Sequence, residues 1–214
     1  MKNIALFTLG VFLSIPLLAE GGAVYYFVFL NPNPDREDLP REEVANLQRR
    51  HLENIQRLAR EQIIVGAGPF HEGGGIFMMR ETSLERVQEH LTTDPAIRAD
   101  RFRLEVYQME IQHGGICPVL ESSEMTTYQF IRYTIPAQAD TRQNARFITA
   151  IPPSDSLIFA GYFRSNESGI AVFRNKMPEW VSHIFQEHPF SGEPGFSFEL
   201  KKLWIAQETF CSPE

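Results

Sequence analysis

Sulfur, basic charge and long apolar runs are all scarce in this chain of 214 residues. There are two cysteines, Cys117 and Cys211, with no histidine beside either. A structural zinc site takes four Cys or His ligands at short spacings, and these two do not supply it. No HExxH and no other paired ligand spacing occurs, so no metal site is expected. Lys and Arg number 20 against 27 Asp and Glu, a formal charge of −7. A nucleic-acid partner would favour a basic face, so none is expected. There is no Gly-x-Ser-x-Gly elbow for a hydrolase nucleophile. Glu72-Gly73-Gly74-Gly75 opens a strand rather than a helix, which is the wrong context for a phosphate cradle and fits a hairpin turn. No cofactor motif is present, and none is expected. Low-complexity tracts are missing too.

The one long apolar run is at the start. Met1-Lys2-Asn3 is short and positive, Ile4 to Leu18 is apolar, and Leu17-Leu18-Ala19 ends on a small residue. That layout predicts a signal peptide over residues 1–19, and the run is short for a membrane span. An uncleaved anchor or a misassigned start is the alternative. No cysteine follows the run, which argues against a lipoprotein. The expected location is periplasmic or secreted, with membrane contact only through that segment.

The rest alternates strand-like and helix-like stretches. Val24 to Leu30 (VYYFVFL) is aromatic and β-branched and reads as a buried strand, broken by Asn31-Pro32-Asn33-Pro34. Arg41 to Arg60 reads as a helix with Val44, Leu47, His51, Ile55 and Leu58 along one stripe. Strands follow from Ile63 and at Ile76 to Met79. Thr82-Ser83-Leu84-Glu85 reads as a capping box opening a second helix, which must stop near Asp94 before Pro95. Phe102 to Ile111 is a last strand with Phe102, Leu104 and Val106 on one face. The second half shows the same order, with strands at 128–135, 157–162, 169–173 and 196–205 and helices near 141–151 and 178–187. Each half is β-α-β-β-α-β, the ferredoxin-like unit.

The halves also share residues. Positions 75–117 and 169–211 align at a constant offset of 94, placing Ile76 on Ile170, Arg80 on Arg174, Pro95 on Pro189 and Cys117 on Cys211. A period of roughly 90 residues is too long for a solenoid repeat and points to a duplicated, fused domain. The expected domains are 23–113 and 126–211, joined by a linker at 114–125. A four-stranded sheet with helices on one face leaves its other face bare, and the second copy can cover it. The expected architecture is therefore α+β: two tandem ferredoxin-like domains packed sheet to sheet within one chain. Such a chain is a monomer with an internal pseudo-dimer, or a weak homo-oligomer. Cys117 and Cys211 fall at equivalent places. They are either a disulfide, worth about 4 kcal/mol in the chain-entropy model, or two free thiols.

The halves differ where the chemistry could lie. His51 corresponds to Asn144, and Asp94 to His188. Both helices of a half lie on one face of its sheet, so His51 and Asp94 can meet. Asp94, taken as a helix C-terminal residue, is misplaced against the helix dipole, which a nearby imidazolium would repair. A carboxylate holding one imidazole nitrogen is also the ordinary way to orient a histidine base. The plainer alternative is a core histidine and a turn aspartate. His71, His90 and His113 read as loop, surface and strand-end residues.

Leu47 to Leu58 (LQRRHLENIQRL), Val65 to Phe77 (VGAGPFHEGGGIF) and Asp94 to Val106 (DPAIRADRFRLEV), with the Thr82–Glu85 box, resemble the YCII-related proteins of the dimeric α+β barrel superfamily. The resemblance covers roughly Val24 to Ile111. It implies sheet-mediated pairing and a His–Asp pocket, which by motif match is His51 and Asp94, and a second half that is a degenerate copy. The expected ligand is a small organic molecule, carbonyl-bearing or aromatic, held near Gly68, Pro69 and Phe70. The expected function is a cofactor-free lyase or isomerase using the pair. The alternative is a non-catalytic small-molecule-binding or structural protein of the same fold.

Overall fold

The computed structural model describes residues 24–117, 119, 123–135, 141–151, 155–164, 168–174 and 176–211. Residues 1–19, expected to be a signal peptide, lie outside them. The first half holds β1 (Val24–Pro32), α1 (Arg41–Arg60), β2 (Ile64–Pro69), β3 (Gly75–Glu81), α2 (Leu84–Leu91), α3 (Pro95–Arg98) and β4 (Phe102–His113). β5 (Gly115–Ile116) lies in the connection. The second half holds β6 (Met125–Thr134), α4 (Thr141–Ala150), β7 (Leu157–Phe163), β8 (Ser168–Phe173), α5 (Pro178–Gln186) and β9 (Ser197–Ala206), followed by β10 (Phe210–Cys211).

Three elements depart from the sequence reading. β1 runs on through Asn31 and Pro32, because β3 stops pairing at Leu30 and only β4 needs to match the proline. Ser83 caps α2 by accepting from the Arg86 amide at 3.3 Å, so the capping-box partners are displaced by one residue. α2 itself ends at Leu91, and α3 is a separate short helix.

The eight long strands form one antiparallel sheet in the order β2-β3-β1-β4-β7-β8-β6-β9. Within each half the second, third, first and fourth strands lie side by side in the same order. Stacking face to face was expected; edge joining was not. β4 pairs with β7 from Met109–Phe163 to His113–Ala160. At the other end β2 meets β9 through a bridge between Phe70 and Leu203, and the His71 amide donates to the Lys202 carbonyl at 3.0 Å. The sheet thus closes on itself. An isolated half would leave rows of unpaired backbone groups on its edge strands; the β4–β7 junction pairs part of them and the β2–β9 seam fewer.

Alternation along each strand sorts side chains into three apolar clusters. Phe27, Phe29, Phe130, Phe163, Ile170 and Leu203 point inward and fill the barrel. Val28, Leu30, Phe77 and Met79 point outward beneath Leu58, Val87 and Leu91 of the first pair of helices. Ile131, Tyr133, Ala171 and Phe173 do the same beneath Phe147, Val181 and Phe185. Full burial of one such phenylalanine contributes about 1.5–3 kcal/mol.

Charge enters the barrel filling where Arg132 of β6 meets Glu105 of β4. Its guanidinium donates to both carboxylate oxygens at 3.0 and 2.6 Å, and Tyr107 and Asn31 donate to the same carboxylate. The Arg132 bonds, more than any other contact, hold the Glu105 carboxyl down to about 2. The folded-state value lies below the unfolded value near 4.3, so the stabilisation is complete above about pH 5 and fades as pH falls towards 2. The pair is partly open to solvent, which reduces its worth to about 1–2 kcal/mol. Glu105→Gln should therefore lose about that much stability in urea unfolding at pH 7 and less at pH 3; an equal loss at both would rule out the ionic origin.

Candidate active site

α1 presents one stripe to the sheet, and His51 and Leu58 are its buried members. The imidazole lies 6.0 Å from the Phe77 ring and 5.9 Å from the Phe102 ring, centroid to centroid. Its Nδ1 is 2.9 and 2.8 Å from the two oxygens of Asp94, which is 1% exposed. The His51–Asp94 contact foreseen from the sequence is present. Asp94 gets there by a different route. It is the N-cap of α3, not the end of α2. Its Oδ1 accepts from the Ala96 amide at 2.8 Å and the Ile97 amide at 3.3 Å. The carboxylate therefore sits at the favourable end of a helix, and Pro95 takes the N1 position that tolerates proline.

The sequence reading missed the polar support behind the pair. Asn54, one turn after His51, lies 3.5 Å from Asp94 Oδ2 and accepts from Arg57 and Thr93 at 2.9 and 3.1 Å. Arg57 also donates to Thr93 and to Glu61. The three- and four-residue spacings of His51, Asn54, Arg57 and Glu61 on one helix were the available signal. This network ties α1 to the turn before Asp94 and so fixes the orientation of the carboxylate.

His51 also forms part of the wall of a cavity of about 230 Å³. Leu30, Ile55, Phe77 and Phe102 supply apolar wall, and Gly68, Pro69 and Trp204 form the side nearest the β2–β9 seam. Nδ1 is committed to Asp94, and Nε2 makes no hydrogen bond among the described residues. Gly68 and Pro69 border this cavity. Phe70 does not. It belongs to the barrel interior, 5.1 Å from the Phe130 ring, because residues 68 and 70 of the strand face inward. Only glycine fits at 68, since a Cβ there would stand 2.4 Å from the Trp204 carbonyl oxygen across the seam.

The second half holds no equivalent pair among the described residues. His188, at the position of Asp94, is buried. Its Nε2 contacts the Phe147 carbonyl at 3.0 Å, its Nδ1 accepts from the Phe190 amide, and its ring lies 4.0 Å from that of Phe147. Burial pushes its pKa down. Both nitrogens serve the backbone. The side chain of Asn144 lies outside the described residues. His90, read as a surface residue, is half-buried and bonded to Glu81 at 2.8 Å. Among the described residues no group of three or more His, Cys, Asp or Glu could hold a metal ion, and no helix is long and apolar enough to cross a membrane. Cys117 and Cys211 are joined in a disulfide, with Cα atoms 5.9 Å apart.

No protein-family model matches the chain, and no curated protein does. Two crystal structures are similar in fold, each of a "putative monooxygenase". That from Fusobacterium nucleatum subsp. nucleatum matches with a TM-score of 0.50 and 8% identity, over 90% of this chain and 97% of that one. That from Lactobacillus acidophilus NCFM matches with a TM-score of 0.49 and 11% identity, over 90% and 100%. The likeness to the Fusobacterium structure is one of architecture, an α+β fold with a large antiparallel sheet of the barrel type. It does not extend to the finer likeness to YCII-related proteins drawn from the motifs.

Proposed function

We propose that the protein takes a small organic molecule between α1 and the β2–β9 seam, and that His51, oriented by Asp94, is the general base of a cofactor-free lyase- or isomerase-type reaction. The observation behind this reading is the placing of His51, with a carboxylate on one ring nitrogen and a cavity beside the ring. Asp94 accepts the Nδ1–H, which leaves the Nε2 lone pair as the basic site. A carbonyl-bearing or phenolic molecule would lose a proton to Nε2, and the electron pair would spread onto its oxygen. Return of the proton at another atom is isomerisation; departure of a leaving group is elimination. Apolar walls strengthen the attraction between the imidazolium formed and the Asp94 carboxylate. No step requires a metal or a cofactor.

We further take the two halves as a duplication whose second copy completes the barrel. On this view the chain is a monomer exported to the periplasm or beyond, with residues 1–19 removed. A bridged cysteine pair suits such an oxidising compartment. A second reading rests on the capping role of Asp94, which accounts for its burial without chemistry. The pair would then be a polar anchor in a binding protein.

Proton exchange separates the two. A panel of small ketones, 1,3-dicarbonyls and phenols in D2O should include compounds whose C–H exchange the protein accelerates. His51→Ala should lower that acceleration by about 10²–10⁴-fold. Binding without any exchange would select the anchor reading, and exchange indifferent to His51 would sink the base.

A further inference from the structure

The cavity beside His51 is not isolated. A second cavity of about 480 Å³ lies farther along α1 and shares Ile55, Ala67 and Met125 with the first. The two form one groove between α1 and the seam, with the His51–Asp94 pair at one end. At the other end stand Arg60 and Arg80. Among the described residues neither guanidinium makes an ion pair, and none of those that line the groove is a carboxylate. Two cations without an acidic partner among the described residues are notable on a chain of charge −7. The same wall carries Thr209, fully buried, whose Oγ1 has no hydrogen-bond partner among the described residues. A buried hydroxyl without a partner costs about 1–3 kcal/mol unless something else satisfies it.

We infer that the groove takes an elongated amphipathic anion: a carboxylate at Arg60 and Arg80, an apolar middle along Ile55 and Ala67, and the far end beside His51. This rests on the proposed function for the role of His51, and on the groove for everything else. Arg60 lies nine steps along the helix from His51, a rise of about 13 Å. A molecule must approach that length to touch both ends. The arginines recognise charge through paired N–H donors, the middle contributes burial, and the base acts at the end remote from the charge. Length and charge together, more than the identity of the reacting group, would then select the substrate.

Decanoate, butyrate and decanol are suitable probes, followed by calorimetry and by the ring resonances of His51. Decanoate should bind about tenfold more tightly than either of the others, and Arg60→Gln with Arg80→Gln should remove that advantage over decanol, about tenfold in Kd. Decanoate should shift the His51 ring signals and butyrate should not. Ile55→Trp, which fills the shared stretch, should abolish the decanoate shift. Equal binding of decanol, binding untouched by the arginine substitutions, or arginine-dependent binding that leaves His51 silent would each overturn the inference. Its failure is separable from that of the catalytic reading. Exchange of short neutral probes that depends on His51 but not on the arginines would keep the base and discard the anion. The decanoate pattern without any His51-dependent exchange would keep the groove and discard the base.

Discussion

Serine at both Cys117 and Cys211 will lower the unfolding free energy by about 3–5 kcal/mol. The two residues are 94 positions apart, so the bridge closes a loop that contains the whole second half. In the chain-entropy model a loop of about 100 residues is worth about 4.7 kcal/mol, near the top of the usual range. The folded state needs no distortion to accept the bond, since β5 and β10 already pair beside it through Phe210–Ile116 and Cys211–Gly115. Its gain comes from restricting the unfolded chain. Urea unfolding of the wild type with reductant should match the double variant without it. A shift below about 1 kcal/mol in both would mean that the unfolded chain is already restrained by residual structure.

Asp94→Asn and Asp94→Ala should part company. Asparagine is as good an N-cap as aspartate, so its oxygen can keep the Ala96 and Ile97 amides and the fold should lose no more than about 1 kcal/mol. The side-chain amide would then turn its N–H towards His51. Nδ1 must accept, Nε2 must carry the hydrogen, and the basic lone pair beside the cavity disappears. Exchange should fall about 10²-fold or more while unfolding scarcely moves. Alanine removes the cap and strands two amides and the imidazole, costing about 2–4 kcal/mol in addition. Nitrogen shifts of the His51 ring report the change of tautomer directly. Activity in Asp94→Asn within a few-fold of wild type would leave Asp94 with its capping role alone.

Much of the fold was legible because the strands announce themselves by composition. VYYFVFL in β1 and the GIAVF stretch of β8 are aromatic and β-branched, with glycine and proline between elements. The matched order of the halves followed from their shared spacing. Closure of the barrel was not legible, since edge pairing between β4 and β7 depends on contacts some fifty residues apart and leaves no local mark. Two errors at the site had signals that pointed the right way. Thr92-Thr93-Asp94-Pro95 carries the N-cap followed by N1 proline of a new helix, which the reading of a continuous α2 obscured. Strand alternation sends Ala67 and Pro69 outward and Phe70 inward, so counting by two from Ala67 would have removed Phe70 from the pocket. The His51–Asp94 contact was accessible because it needs only two helices on one side of a sheet. The cavity was not, because Trp204 and Met125 come from the other half.

The barrel is not closed with equal strength around its circumference. β4 and β7 share an extended run of pairs, whereas β2 and β9 meet at one bridge and the His71 amide. Gly68 keeps that junction thin, and the same residues border the groove. Local opening costs least where backbone bonds are fewest. Amides of β2 and β9 should thus exchange with solvent before those of the barrel's far side, and slow when the groove is filled. The route by which a molecule reaches His51 and the place where the barrel breathes would be one and the same.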